Sequence, residues 1–287
     1  MFWFIFAGFT ALFESLTDVV SKKNLKLGDE YIISFLIRFI TFLFLLPLLI
    51  FMGIPDIGPN FGMALIIGGS LNVITTLLYM KALKYSELSI SVPMLAFTPM
   101  FLLITSPIIL GEFPSLLGLI GIFLIITGSY VLNIRQWKEG YLEPFKCLLR
   151  EKGPKMMLLV AFIWSITANF DKVGLINSSP IFWIVVINLF IAVFTFPLML
   201  RNYQKNVELF NVRKGNLILM GLLSALTSIF QMYAISLTLV PYVIAVKRTS
   251  AVLGVLWGKL IFKEKEIREK LIGATIMVIG VFIILIS

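Results

Sequence analysis

The 287-residue chain contains no histidine and a single cysteine, Cys147. The first absence removes the commonest general base and metal ligand. The second leaves no partner for an intramolecular disulfide. A Ser/His/Asp set is impossible without histidine, no G-x-x-x-x-G-K-[ST] loop is present, and no base stands beside Cys147 in the sequence. Hydrolytic, metal-dependent and ATP-driven chemistries therefore lack their usual parts, and the expectation is a non-enzyme without metal or cofactor. Charge is also scarce, at 14% of residues against 59% hydrophobic. With a mean hydropathy of +1.01, the chain is too apolar for a soluble globular domain. The net charge of +9 sits mostly in loops between apolar runs, without a basic stripe interleaved with aromatics. Nucleic acid is therefore not an expected partner; membrane lipid is.

What the sequence does have is apolar runs near 20 residues, the length needed to cross a hydrocarbon core about 30 Å thick. Ten are read: 2–21, 31–52, 61–80, 88–110, 115–134, 156–176, 180–200, 216–236, 240–262 and 271–286. No alternating barrel pattern is present, and helices are the remaining way to satisfy backbone groups in lipid. The expected fold class is an all-α polytopic membrane protein. The run from Phe2 lacks a positive leader and an A-x-A-like cleavage site, so it reads as a retained helix.

The chain also repeats itself. A shift of 150 places Ser15-Leu16-Thr17 on Ser165-Ile166-Thr167, Lys22 on Lys172 and Pro47 on Pro197. A shift of 152 places Glu112 on Glu264, Gly121 on Gly273 and Gly128 on Gly280. Polar residues, prolines and glycines in constant order are hard to obtain by chance, so a duplication is inferred. The domains are residues 1–134 (helices 1–5), a linker 135–155, and residues 156–287 (helices 6–10).

Five helices per half require the halves to be inverted, and the loop charges agree. Lys22, Lys23 and Lys26 follow helix 1, whereas Lys172 alone follows helix 6; the loop 53–60 has no cation, whereas its counterpart holds Arg201, Lys205, Arg213 and Lys214. The positive-inside rule then puts both termini outside a cell (inner) membrane. The linker, with Arg135, Lys138, Lys146, Arg150, Lys152 and Lys155, falls in the cytoplasm. Its helical spacing of Trp137, Tyr141, Phe145, Leu148 and Leu149 suggests a segment in the interface, broken at Pro144.

Each half ends in a Glu followed by a glycine-spaced helix: ILGEFPSLLGLIGIFLIITG, then LIFKEKEIREKLIGATIMVIG. These stretches resemble the EamA-type repeat of the drug/metabolite transporter superfamily, and VKRTSAVLGVLWGKLIFKE looks like the ninth helix of its ten-helix members. The resemblance covers nearly the whole chain. It implies a carrier with a central cavity between inverted halves, moving amino acids, other metabolites, sugars or drugs.

The candidate site residues are ionised or polar groups inside the apolar runs. Lys247 and Arg248 lie within 240–262 and have no cationic counterpart in the first half. Charges inside membrane helices usually face a polar cavity, and this asymmetry favours a ligand with a carboxylate or phosphate. The alternatives are capping, internal pairing or snorkelling. Neighbours on a helix point about 100° apart, so one of the two, Lys247, is expected to aim at the cavity centre. Glu14 lies in helix 1, and its spacing to Lys22 resembles the first helix of small multidrug-resistance transporters, where a carboxylate binds protons and cations. It either couples protons or pairs with Arg38, at similar depth on helix 2; Asp18 shares its face. Ser15, Thr17, Tyr79, Trp164, Ser165, Thr167, Asn169, Asn188, Gln231 and Tyr233 are candidate lining, each also readable as interhelical packing.

Glycines of helices 5 and 10, and Gly254-x-x-x-Gly258, read as close-packing faces. They allow a homodimer as well as a monomer. Pro47, Pro93, Pro99, Pro107 and Pro197 are expected to loosen their helices, and Glu112 and Glu264 to cap the helices that follow them. The expected function is a secondary transporter, exporting a small polar, anionic or zwitterionic metabolite by alternating access. A multidrug or cationic exporter centred on Glu14, or a lipid-handling, flippase-type component, is the alternative.

Overall fold

The computed structural model describes residues 2–25, 27–85, 92–132, 152–205, 213–253, 257 and 268–287. Ten α-helices follow one another, with no strand among the described residues. They are α1 (Phe2–Leu25), α2 (Glu30–Met52), α3 (Phe61–Tyr85), α4 (Thr98–Leu110), α5 (Leu116–Leu132), α6 (Lys152–Ile176), α7 (Pro180–Lys205), α8 (Lys214–Leu237), α9 (Val240–Lys247) and α10 (Arg268–Leu285). Six of them, α1–α3 and α6–α8, are long and apolar enough to cross a membrane. The expected interfacial segment with Cys147, the pair Gly254 and Gly258, and Glu264 lie outside the described residues.

Polarity is arranged inside out. Ile50, Phe51, Ile54, Ile108 and Ile286 are among the most exposed side chains, whereas Thr10, Asn24, Ser34, Thr75, Thr98 and Asn169 are fully buried. An exterior of large apolar residues is costly in water and matches lipid.

Helices of one half pack chiefly on the other half, and reciprocally: α1 on α8 and α6 on α3, α9 on α1 and α4 on α6. The self-equivalent pairs α2/α7 and α5/α10 also meet. This reciprocity is what a two-fold between repeats requires. The α5/α10 contact shows why glycine recurs there. A Cβ on Gly121 would lie 2.7 Å from the Gly280 carbonyl oxygen, and one on Gly128 would lie 2.7 Å from that of Gly273. The two backbones touch where other residues would hold them apart.

Local signals fix the helix ends. Asp29 Oδ1 accepts from the Tyr31 and Ile32 amides at the start of α2. At the repeat-equivalent position, Ser179 Oγ accepts from Phe182 N at the start of α7. Gly111, at φ 69°, closes α4 in the left-handed region. Pro154 lies in the first turn of α6, where it sacrifices no helical bond, so α6 starts at Lys152 inside the expected linker.

Two expected continuous helices are interrupted. The run read as 88–110 is a 3-10 turn (Val92–Phe97) leading into α4, whose first turn contains Pro99. The run read as 240–262 stops being helical at Lys247: Arg248 and Thr249 form a turn, and helix resumes at Ser250. Arg248 N reaches both Ile244 O and Ala245 O, and Thr249 N bonds Val246 O, the tightening of a 3-10 turn. Pro47 and Pro197, by contrast, lie inside unbroken helices.

Candidate functional site

Between the halves lies a cavity of ≈ 170 Å³, bounded by residues of α1, α2, α3, α4, α6, α7, α8 and α9. One water needs roughly 10–15 Å³ on this measure, so there is room for a small solute. Three acidic and three basic side chains line it: Glu14, Asp18 and Asp171 against Arg38, Lys247 and Arg248.

The first group of charges gathers around Glu14. Lys247 Nζ is 3.0 Å from Glu14 Oε1, and Arg248 Nη1 is 3.8 Å from the same oxygen. Lys247 also donates to Gln231 Oε1 at 2.8 Å, and Arg248 Nη2 donates to Thr98 Oγ1 at 3.1 Å. Both cations face the Trp164 ring, at 5.7 Å and 5.5 Å from its centroid. Under the 150 shift Trp164 is the equivalent of Glu14, so one position supplies a carboxylate in one repeat and a π face in the other, both to the same cations. Tyr79 Oη donates to Asp18 Oδ1 at 2.5 Å, and the Tyr79 ring lies 5.3 Å from Trp164. Both Lys247 and Arg248 line the cavity. The chain is not helical from one to the other, since α9 ends at Lys247 and Arg248 enters the turn.

The pairing of Glu14 with Arg38, one of the two alternatives for Glu14, is not formed. Glu14 pairs with Lys247 and Arg248, while Arg38 Nη1 donates to Asn188 Oδ1 at 3.4 Å and Nη2 to Thr76 Oγ1 at 3.0 Å. Depth alone misled here. Arg38 lies on α2, which packs on α7 and α8, whereas the Glu14 face of α1 meets α9. Arg38 makes no ion pair with a carboxylate among the described residues.

The remaining candidates divide. Thr17, Tyr79, Trp164, Thr167, Asn188 and Gln231 line the cavity. Ser15, Ser165, Asn169 and Tyr233 do not, and each has a packing role. Trp257 Nε1 donates to Ser15 Oγ. Asn169 bonds Thr105, Ser106 and the Ser165 carbonyl, joining α4 to α6. Tyr233 lies against Phe6. The candidate list omitted Asp171. Its Oδ1 accepts from Trp183 Nε1 at 2.9 Å, and the Trp183 ring is seated against Gly174, where a Cβ would come within 2.2 Å of it. The criterion that singled out Glu14, an acid inside an apolar run, applies equally to Asp171.

Glu112 differs from expectation. Ser115 Oγ accepts from Gly118 N at the start of α5, whereas Glu112 Oε2 accepts from Val240 N at the start of α9. Glu112 Oε1 also pairs with Lys172, whose Nζ donates to Thr238 O at 2.8 Å. Glu112 thus caps a helix of the other half. The repeat equivalent of Lys172, Lys22, bonds the Leu83 carbonyl near the end of α3.

A helical bundle of inverted repeats with an ion-lined cavity at their interface defines a polytopic membrane protein of the carrier type. The EamA-like transporter family model matches residues 1–134 and 151–286, and the chain belongs to that family. A solved crystal structure, described only as that of a protein, is similar with a TM-score of 0.72 at 13% identity, covering 98% of this chain and 95% of its own. That likeness concerns the fold. No curated protein matches the sequence.

Proposed function

We propose that the protein is a secondary active transporter that exports a small polar, anionic or zwitterionic metabolite, amino-acid-like in its charges, across the cell membrane by alternating access. The observation that carries this reading is the cavity between the repeats, lined by six ionisable side chains beside a helix interrupted at Lys247 and Arg248. Irregular backbone at membrane depth is tolerated where it lines a cavity, and interrupted helices near the repeat interface mark solute sites in inverted-repeat carriers. Rocking of one half against the other would open that site to each side in turn.

In this reading Glu14 is the coupling carboxylate. Protonation at Glu14 would release Lys247 and Arg248, and deprotonation would recapture them, so solute movement would be linked to a proton. The same geometry weighs against a cationic exporter centred on Glu14, because a cationic solute would have to displace two fixed cations from it.

The test is flux in proteoliposomes, with amino acids, organic acids, sugars, nucleotides and cationic drugs, for the wild type and for Lys247→Ala. Flux of a metabolite that is lost in the variant and responds to a proton gradient is the expected result. No flux of any solute, with lipid copurifying, would favour the lipid-handling role instead.

A further inference from the structure

Lys247 and Arg248 are ion-paired within the protein, on Glu14, although Glu14 Oε2 and Arg248 Nε are left without a hydrogen-bond partner; Arg38 and Asp171 make no ion pair among the described residues. Glu14 and Asp18 stand against Lys247 and Arg248, two of each sign on one side of the cavity. Arg38 has only neutral acceptors, Asn188 Oδ1 and Thr76 Oγ1, and its buried Nε has no partner. A guanidinium has five donors in a planar fork that matches a carboxylate. Neutral acceptors position that fork without a contact ion pair, Asp171 acting on it only from across the cavity, and a charge without a contact partner inside a membrane protein is expensive.

Asp171 is the counterpart. One oxygen is fixed by the Trp183 indole, no donor among the described residues reaches the other, and no cation pairs with it at 4 Å or less. Arg38 and Asp171 face the same cavity without forming an ion pair with each other. Asn72 lies one turn from Thr76 on the same face of α3, and its side-chain amide, also lining the cavity, has no protein partner among the described residues.

We propose that Arg38, oriented by Thr76 and Asn188, seats the acidic group of the solute, and that Asp171, oriented by Trp183, seats its ammonium group. This rests on the transporter reading above and replaces Lys247 and Arg248 as the anion seat. The charge arithmetic supports it. A solute anion alone would pair with Arg38 and leave Asp171 without a contact partner, and an organic cation alone would do the reverse. A solute carrying both groups satisfies both and adds no net charge to the cavity.

The experiment pairs each residue with the solute group it is assigned. Thermal stabilisation of the detergent-purified full chain is titrated with the L-amino acids, their carboxamides and their N-acetyl derivatives, for the wild type, Arg38→Gln and Asp171→Asn. Arg38→Gln breaks no contact ion pair among the described residues, though it removes one of the cations acting on Asp171 at a distance. Expected for at least one amino acid is a tenfold or greater loss of affinity in Arg38→Gln, with no loss for its carboxamide. Asp171→Asn should lose as much for the same amino acid and nothing for its N-acetyl form. Binding of the derivatives also shows that each variant is folded. Equal weakening of amino acid and derivative would make both residues merely structural and overturn the assignment. Unchanged affinity for the amino acid would overturn it too. Stabilisation by other solutes but by no amino acid would overturn the subsite and leave the transporter reading standing, whereas absence of flux for every solute would sink that reading itself.

Discussion

Arg38 and Asn188 stand 150 positions apart, the offset between the repeats, and they meet, with Arg38 Nη1 donating to Asn188 Oδ1 at 3.4 Å. Equivalent residues of a two-fold pair can touch only beside the axis, so this contact locates the axis at the cavity. There the repeats have diverged: Arg38 faces Asn188, and Glu14 has Trp164 as its equivalent. A symmetric scaffold thus carries an asymmetric set of charges.

Neutralising Glu14 should be costly. Glu14→Gln leaves Lys247 and Arg248 buried with their shared carboxylate gone, and breaking a buried pair from one side typically costs about 3–5 kcal/mol. The expected outcome is a clear fall in the melting temperature of the purified protein, partly recovered in Glu14→Gln/Lys247→Met. A single variant as stable as the double would show that Glu14 is not what neutralises the cations.

The Lys172–Glu112 pair should behave as a tie between the halves. Both side chains are 13% exposed, and Glu112 additionally caps α9. Glu112→Gln should therefore destabilise more than Lys172→Met, because it removes the charge from the α9 terminus as well as the pair. A double-mutant cycle measured by thermal melting should give a coupling above about 0.5 kcal/mol. Additive losses would mean that the pair contributes nothing beyond its separate contacts.

Much of this was legible in the sequence, for physical reasons. Glycine offsets in helices 5 and 10 announced close approach, and Gly121/Gly280 and Gly128/Gly273 do touch. Residues forced into lipid-length segments despite their charge, such as Glu14, Lys247 and Arg248, proved to line one cavity. Pairing was not legible. Glu14 and Arg38 share a depth, but depth does not fix which faces meet, and that choice depends on helix rotation. Nor was the break after Lys247 readable, since no glycine or proline marks it: the residues there are Lys247-Arg248-Thr249-Ser250. Tyr79 and Tyr233 were both candidate lining, yet only Tyr79 reaches the cavity, while Tyr233 packs on Phe6.

Enlarging the α5/α10 glycines should damage the fold and not the cavity directly. A Cβ at Gly128 would lie 2.7 Å from the backbone at both Gly273 O and Met277 N, contacts that cannot relax by turning a side chain. Gly128→Leu should lower thermal stability by more than the 1–3 kcal/mol typical of overpacking. Gly215→Leu, where nothing lies within 4 Å, should be tolerated. Equal tolerance at both sites would mean that the backbones do not approach as described.

Orientation can be read with the one native thiol. Cys147 lies between Lys146 and Arg150 in a stretch dense in cations, while the loop 53–60 has none. If positive charge is retained on the cytoplasmic side, Cys147 should react with a membrane-impermeant maleimide in inside-out vesicles and stay unlabelled in intact cells. A cysteine introduced at Asn60, in a chain carrying Cys147→Ser, should show the reverse. Three helices, α3, α4 and α5, stand between loop 53–60 and the linker that holds Cys147, so the two labels test opposite faces. Labelling of Cys147 in intact cells would invert the whole assignment. It would place the Lys172–Glu112 tie on the cytoplasmic face.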